Sequence, residues 1–496
     1  MLAWTIYISF IGVLVLMLLP KGNAALARGV ALLTAVAGFV IALVAYSEDF
    51  IGDYGKAPIL PVTDKSWIPS LGIHYHLAAD GISLTLVLLT GLAAIAGILF
   101  SWNIEHRAKE FFAFYLALIG GVYGVFLSFD LFLLFVFYEI AIVPKYFIIA
   151  IWGSTRREYG AMKLALYSFI GSAMVLVGLI AAYVVSGAHS FDITELAKYP
   201  YPLEFQRCAF PLVFIGFGIL AGLWPFHTWA PTGHVAAPTA ASMLLAGVVM
   251  KLGAYGCLRV AMTLFPEGMK EWRDFFAILA IIGILYGAMV ALVQNDFKFV
   301  IGYSSVSHMG FVLLGLMTLN TIGLSGAVLQ MFSHGIIAGL LFAVVGRMVY
   351  DRTHTRDLDE LQGMGLSKLL PFAAVTFVIA SIASMGLPGF SGFVAELQVI
   401  IGAWKAFPTK AILAGVGILI GVAYTLRVMQ KAFYGEPDEK EAQAHEPMPP
   451  ISLQEKLGAV MLIAVSLVIG LFPRLLLDLI VPSFNSPLFD WLRRPQ

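Results

Sequence analysis

The chain reads as an all-α polytopic membrane protein, and three observations predict this. Apolar residues make up 60% of it and charged residues only 12%. Mean hydropathy is +0.89. Unbroken apolar runs of roughly 20 residues, the length a helix needs to cross the hydrocarbon core, recur from one end to the other. The 30 basic and 30 acidic residues balance, and no basic run or basic-aromatic patch occurs, so nothing points to nucleic acid. The 2 cysteines, Cys208 and Cys257, are far apart and flanked by apolar residues, which reads as inert core rather than a disulfide framework or thiolate metal site.

Along the chain, a window of that length predicts about fourteen spans, near 1–20, 26–46, 82–102, 111–129, 131–152, 161–185, 209–225, 239–262, 275–293, 299–318, 322–350, 370–404, 410–432 and 455–482. The first lacks a basic n-region and a small-residue cleavage site, so it reads as a retained helix. The polar stretch 47–80, with acidic residues, prolines, His74 and His76, reads as an extramembrane cap; that lone histidine pair is not expected to hold a metal. Lysine and arginine counts favour both termini facing outward, gathering Lys21, Arg156, Arg157, Lys298, Arg352 and Lys440 among others on the cytoplasmic side, with Arg493 and Arg494 opposing.

Two spans are too irregular to be simple. In the seventh, Pro225, Pro231 and Pro238 each remove a donor and crowd the preceding turn, so the helix is expected to break. The twelfth, 370–404, would be about 50 Å long at 1.5 Å per residue, well beyond a core of about 30 Å, and Gly386-Leu387-Pro388-Gly389 interrupts it. Broken helices at matching places in two five-helix units point to inverted repeats around a mid-membrane transport site. The expected organisation is therefore 1–110, helices one to three with the loop; 111–262, a first repeat of helices four to eight; 275–432, a second, inverted repeat of helices nine to thirteen; and 433–496, a polar linker, helix fourteen and tail.

The chemistry-bearing residues lie inside these spans. Glu139 falls in the unbroken run 131–152, and Lys145, Lys251, His308, His334 and Glu396 repeat the pattern. A charge at the bilayer centre costs roughly 2.5–3.5 kcal/mol on insertion scales and usually marks an ion or proton route. Apolar surroundings favour the neutral form of a carboxylate or a lysine, and proximity of the two favours the charged forms. Protonation is then switchable by moving one charge.

At these residues the chain resembles a known family. Phe137-Tyr138-Glu139, Pro225-Phe226-His227-Thr228-Trp229, Ala237-Pro238-Thr239-Ala240, Met250-Lys251-Leu252-Gly253-Ala254-Tyr255-Gly256, Tyr303-Ser304-Ser305-Val306-Ser307-His308-Met309-Gly310 and Gly386-Leu387-Pro388-Gly389 are similar to subunit M, or chain 4, of the antiporter-like subunits of proton-pumping NADH-quinone oxidoreductase, respiratory complex I. The resemblance spans nearly the whole chain, and its motifs are specific as an ordered set. It implies fourteen helices, two inverted repeats and a file of buried ionisable groups. It also implies a multi-pass protein of a bacterial inner membrane, with lipids and neighbouring antiporter-like subunits as partners. No cofactor or metal is expected on this chain; quinone, flavin and iron-sulfur clusters would belong to other subunits. Glu139, Lys251 and Glu396 match the family's glutamate of helix five, lysine of helix eight and glutamate of helix twelve. His227, His234, His308 and His334 match histidines near that axis.

One departure stands out. The family's helix-seven lysine falls at Leu220 here. Lys145, about 120° around the helix from Glu139, and Lys163 at the start of helix six are the candidate replacements.

Three function classes follow. The leading one is a proton-conducting membrane subunit of a quinone reductase. A cation/proton antiporter subunit is the alternative, disfavoured by His308 where that relative often has glutamine and by Ala338 where it carries lysine. A haem-binding anchor would need histidines at matched depth, whereas His308 and His334 read as lying near opposite ends of their spans.

Overall fold

The computed structural model describes residues 1–20, 22–47, 59–435 and 448–493. Lys21, Lys440 and Arg494, residues 48–58 of the expected cap and 436–447 of the linker lie outside the described residues. Helices α1 (Ala3–Leu18) and α2 (Ala24–Ala45) lead into a hairpin of β1 (Leu60–Ile68) and β2 (Ile73–Ala79). After it come α3 (Gly81–Phe100), α4 (Ala108–Leu127), α5 (Leu131–Trp152) and α6 (Arg157–Ser186), then the broken pair α7a (Leu203–Ala221) and α7b (Trp229–Ala236). Next are α8 (Thr239–Leu264), α9 (Pro266–Val293), α10 (Phe297–Met317) and α11 (Thr321–Thr353). A second broken pair, α12a (Pro371–Ser384) and α12b (Ser391–Ala406), precedes α13 (Pro408–Phe433) and α14 (Leu453–Leu471).

Among the described residues, 12 helices are long and apolar enough to cross a membrane; Ala3–Leu18 and Pro371–Ser384 are shorter apolar helices. The hairpin is the departure from an all-helical reading. It lies within the expected cap, where the antiparallel ladder pairs Leu60 with Ala79 and Ile68 with Ile73.

Helices apolar all round belong in the interior, and α3, α8 and α11 are almost wholly buried. The outer helices turn side chains such as Leu14, Leu18, Leu33, Val184 and Leu419 outward, as lipid or neighbouring apolar surface requires. Both expected breaks occur. Gly222, at φ 85°, closes α7a; Pro231 sits in the first turn of α7b, where a missing donor costs nothing. In the twelfth, the left-handed Gly386 and Gly389 separate the halves. Pro144, by contrast, lies inside an unbroken α5.

Asp130 caps α5, accepting from Phe132 and Leu133 N at 2.9 Å, and Asp296 caps α10 through Lys298 N at 2.8 Å. Each aspartate forms an isolated antiparallel bridge, Asp130 with Asp192 and Asp296 with Asp357. The flanking bonds repeat as well: Leu131 N donates to Phe191 O and Ile193 N to Phe129 O, as Phe297 N does to Arg356 O and Leu358 N to Asn295 O. An odd number of spans separates the two devices, so they close opposite ends of two like-built units.

Candidate functional site

Lys251 lies in the regular segment of α8, Met250–Gly256, between π-helical turns at Leu245–Val249 and Cys257–Ala261. Such widened turns recur at functional sites because they release backbone groups from the regular ladder. Lys251 Nζ donates to Ala246 O within the first widened turn and lies 2.7 Å from His334 Nδ1 on α11. Lys251 is fully buried, and His334 is buried. The opposite ring nitrogen, His334 Nε2, is buried and has no protein hydrogen bond.

The His308 ring, on α10, stands 5.5 Å from that of His334 between centroids. His308 Nδ1 is 2.9 Å from Glu396 Oε1 on α12b, and His308 Nε2 is 3.2 Å from the Ser384 hydroxyl, at the end of α12a. Gln330 Nε2 donates to the same Glu396 oxygen at 3.0 Å. The break in helix twelve therefore serves the site: it sets Ser384 and Glu396 on either side of one histidine. Lys251, His334, His308 and Glu396 form a file across four elements; the last three, with Ser384 and Gln330, line a cavity of about 10 Å³.

The other candidates stand apart. Among the described residues no hydrogen bond or ion pair joins Glu139 to this file. Glu139 is part-buried on α5, and Lys145, 1% exposed by residue, is near enough to act on its charge. Lys145 Nζ and Glu139 Oε1 are both buried without a hydrogen-bond partner. Lys145 is thus turned into the protein rather than out to a membrane edge. Lys163 instead donates to Thr232 Oγ1 at 3.2 Å. Leu220 is buried in apolar core. His227 lies edge-on to Tyr286 at 5.2 Å, and His234 stacks on Phe342 at 4.7 Å; neither ring nitrogen of either is hydrogen-bonded. The structure therefore packs these two histidines among aromatic rings, apart from the hydrogen-bonded pairs Lys251–His334 and His308–Glu396.

A sequence profile described as "NADH:quinone oxidoreductase/Mrp antiporter, TM" matches residues 128–421, which include Glu139, Lys251, His308, His334 and Glu396. The chain belongs to this family. It is 38% identical to "NAD(P)H-quinone oxidoreductase chain 4 1" of Synechococcus elongatus over 95% of its own length and 88% of that protein's. It is 37% identical to "NADH-quinone oxidoreductase subunit M" of Rhodobacter capsulatus, over 92% and 89%. Among solved structures, a chain of respiratory complex I from Thermus thermophilus with bound NADH superposes with a TM-score of 0.87 at 27% identity, covering 99% of this chain and 100% of that one. A chain of the Mrp complex from Dietzia gives 0.84 at 23% identity, over 99% and 98%, which is a likeness of fold. The chain is a multi-pass membrane protein of the antiporter-like type.

Three sequence expectations need correction. His308 and His334 are not near opposite ends of their spans but face one another, since each lies near the middle of its helix, α10 and α11. As they stand, the two rings are 5.5 Å apart between centroids and border a cavity of about 10 Å³. Cys208 is exposed on α7a, and only Cys257 is a core residue. Lys298 is no loop charge: it is 2% exposed, donates to Ala237 O at 3.1 Å, and floors a cavity of about 270 Å³ lined in part by Ser101, Asn103, Ser154 and Thr239.

Sequence reasoning missed Gln330 and Ser384. Gln330 lies one turn before His334 on the same helix face, a spacing that could have flagged it. Nothing in the sequence singles out Ser384, which acts through the break. Also missed was the fully buried pair of Arg259 and Asp80, 2.5 Å apart, which ties α8 to the start of α3.

Proposed function

We propose that the chain is a proton-translocating membrane subunit of a complex I-like NAD(P)H-quinone or NADH-quinone oxidoreductase in a bacterial inner membrane. Quinone, flavin and iron-sulfur clusters belong to partner subunits in this reading. The observation that carries it is the 2.7 Å approach of Lys251 Nζ to His334 Nδ1, continued by the 2.9 Å contact of His308 with Glu396.

In the path we infer, the Lys251 ammonium gives a proton to His334 Nδ1 while His334 releases its Nε2 proton toward the cavity. The proton reaches His308 Nε2 by way of the Ser384 hydroxyl, and His308 passes its Nδ1 proton to Glu396 Oε1. The balance is one proton moved, from a lysine left neutral to a carboxylate made neutral. Residues 111–262 and 275–432 act as the two repeats, Lys251 from the first and His334, His308 and Glu396 from the second. Glu139, part-buried on the flank of α5, responds to Lys145 and faces the neighbouring membrane subunit.

The cation/proton antiporter remains the alternative, favoured by the shared fold of the Dietzia chain and disfavoured by His308 and Ala338. Purification of the tagged chain from its native membrane decides between them. Attached flavin and iron-sulfur subunits are the expected result; an assembly of membrane subunits alone would overturn the quinone-reductase reading.

A further inference from the structure

The proton path just proposed has one gap. His334 Nδ1 meets Lys251, and both nitrogens of His308 are engaged, with Glu396 and with Ser384, but among the described residues no protein atom bridges His334 Nε2 to the Ser384 hydroxyl. Two buried polar atoms at this place have no protein hydrogen bond, His334 Nε2 and Gln330 Oε1. Both residues line the same cavity of about 10 Å³, together with Ser384, Ser304, His308 and Glu396. A space of that size holds about one water, provided two to four polar partners meet it. A buried acceptor left without a partner is costly, which disfavours leaving Gln330 Oε1 unpaired.

We propose that Gln330 is the positioning residue of the proton step, its amide nitrogen holding Glu396 and its carbonyl oxygen anchoring one water that links His334 to Ser384. Gln330 is suited to this because its two ends are distinct. Nε2 is committed to Glu396 Oε1 at 3.0 Å, so Oε1 is turned away from that carboxylate. The amide cannot ionise, so it fixes the geometry without trapping the proton. The water takes the His334 Nε2 proton and gives one of its own to Ser384 Oγ, which passes its hydroxyl proton to His308 Nε2. Every oxygen ends as it began. The inference rests on the proton-path reading.

The test uses the assembled complex in vesicles. Gln330→Met keeps the side-chain length and removes both functions; Ala338→Val narrows the cavity without touching a polar group. Each should slow proton pumping about 10- to 100-fold, the range a misplaced reacting group produces. Gln330→Met should also shift the pH profile of pumping and displace the infrared carboxyl band that disappears in Glu396→Gln, neither of which a purely structural role would move. If Gln330→Met fails to assemble on native gels, Ala338→Val carries the test alone. A Gln330→Met complex with parental pumping and an undisplaced band overturns the proposal, as does an unaffected Ala338→Val. Glu396→Gln pumping at the parental rate would remove the proton path and this inference with it; an inactive Glu396→Gln beside a fully active Gln330→Met removes only the role of Gln330.

Discussion

Lys251 Nζ lies 2.7 Å from His334 Nδ1, although 83 residues separate them in the chain. The contact joins α8 to α11. If it passes protons, rather than merely holding a charge, then the residue must be able to lose its proton. Lys251→Ala should reduce pumping roughly tenfold or more, on the scale of lost acid-base groups. Lys251→Arg should recover little of it, since a guanidinium stays protonated. Parental activity in the arginine variant would show Lys251 to be a fixed charge.

Glu139→Gln keeps size and removes the titratable group. Assembly should be retained, while pumping coupled to quinone reduction in vesicles falls about tenfold or more. Pumping near the parental rate would take Glu139 out of the mechanism.

Lys145 is buried six residues after Glu139 on α5, and its Nζ has no hydrogen-bond partner. If it stands in for the lysine absent at Leu220, Lys145→Met should reduce pumping several-fold by removing the neighbouring positive charge, and adding Leu220→Lys should restore part of the loss. A fully active Lys145→Met chain would end this compensation. Leu220→Lys alone should be neutral or harmful, as an added charge at a membrane-buried position.

The hairpin is fastened to the chain between α6 and α7a by His76 Nδ1 and Asp192 Oδ2, 2.5 Å apart. The bond to Asp192 raises the His76 pKa above its ordinary value, with burial opposing and the charges of Asp192, Asp64 and Asp130 assisting. Burial pushes Asp192 up, but its bonds from His76 and Thr194 outweigh that and leave it lowered. The histidine's contribution is therefore complete below about pH 6.5 and fades as pH rises through its raised value. The aspartate's is present above about pH 3.9 and fades as pH falls through its lowered one. Amide exchange in residues 187–202 should accelerate as pH rises above about 6.5, beyond the intrinsic base-catalysed increase. His76→Gln should abolish this excess; the same excess in both proteins would refute the latch.

Arg259 and Asp80 are 1% and 0% exposed in their side chains. Removing one partner leaves a buried charge alone, so Arg259→Met should destabilise by about 3–5 kcal/mol, read as loss of assembled, heat-stable complex. Asp80→Asn in that background should recover most of it, because asparagine still caps α3 through Ser83 N. Equal damage in the single and double variants would exclude an uncompensated charge as the cause.

The membrane class, the helical architecture and the two broken helices were legible in the sequence, because hydrocarbon demands long apolar runs and glycine clustered with proline interrupts them, where a lone proline such as Pro144 does not. Glu139, Lys251, His308, His334 and Glu396 were legible too: an ionisable group inside an apolar run is visible without knowing its neighbours. Their connections were not. Lys251 meets His334, and His308 meets Glu396, across helices whose rotation and depth depend on packing against three or more others, and no periodicity encodes that. For the same reason His308 and His334 read as distant when they are neighbours, and Lys298 read as a surface charge when it is buried. Gln330 and Ser384 carry no charge to betray them. Their place beside His308 exists only because α12 breaks where it does and α11 sets its glutamine one turn before its histidine, so tertiary structure decided which buried groups meet around one cavity.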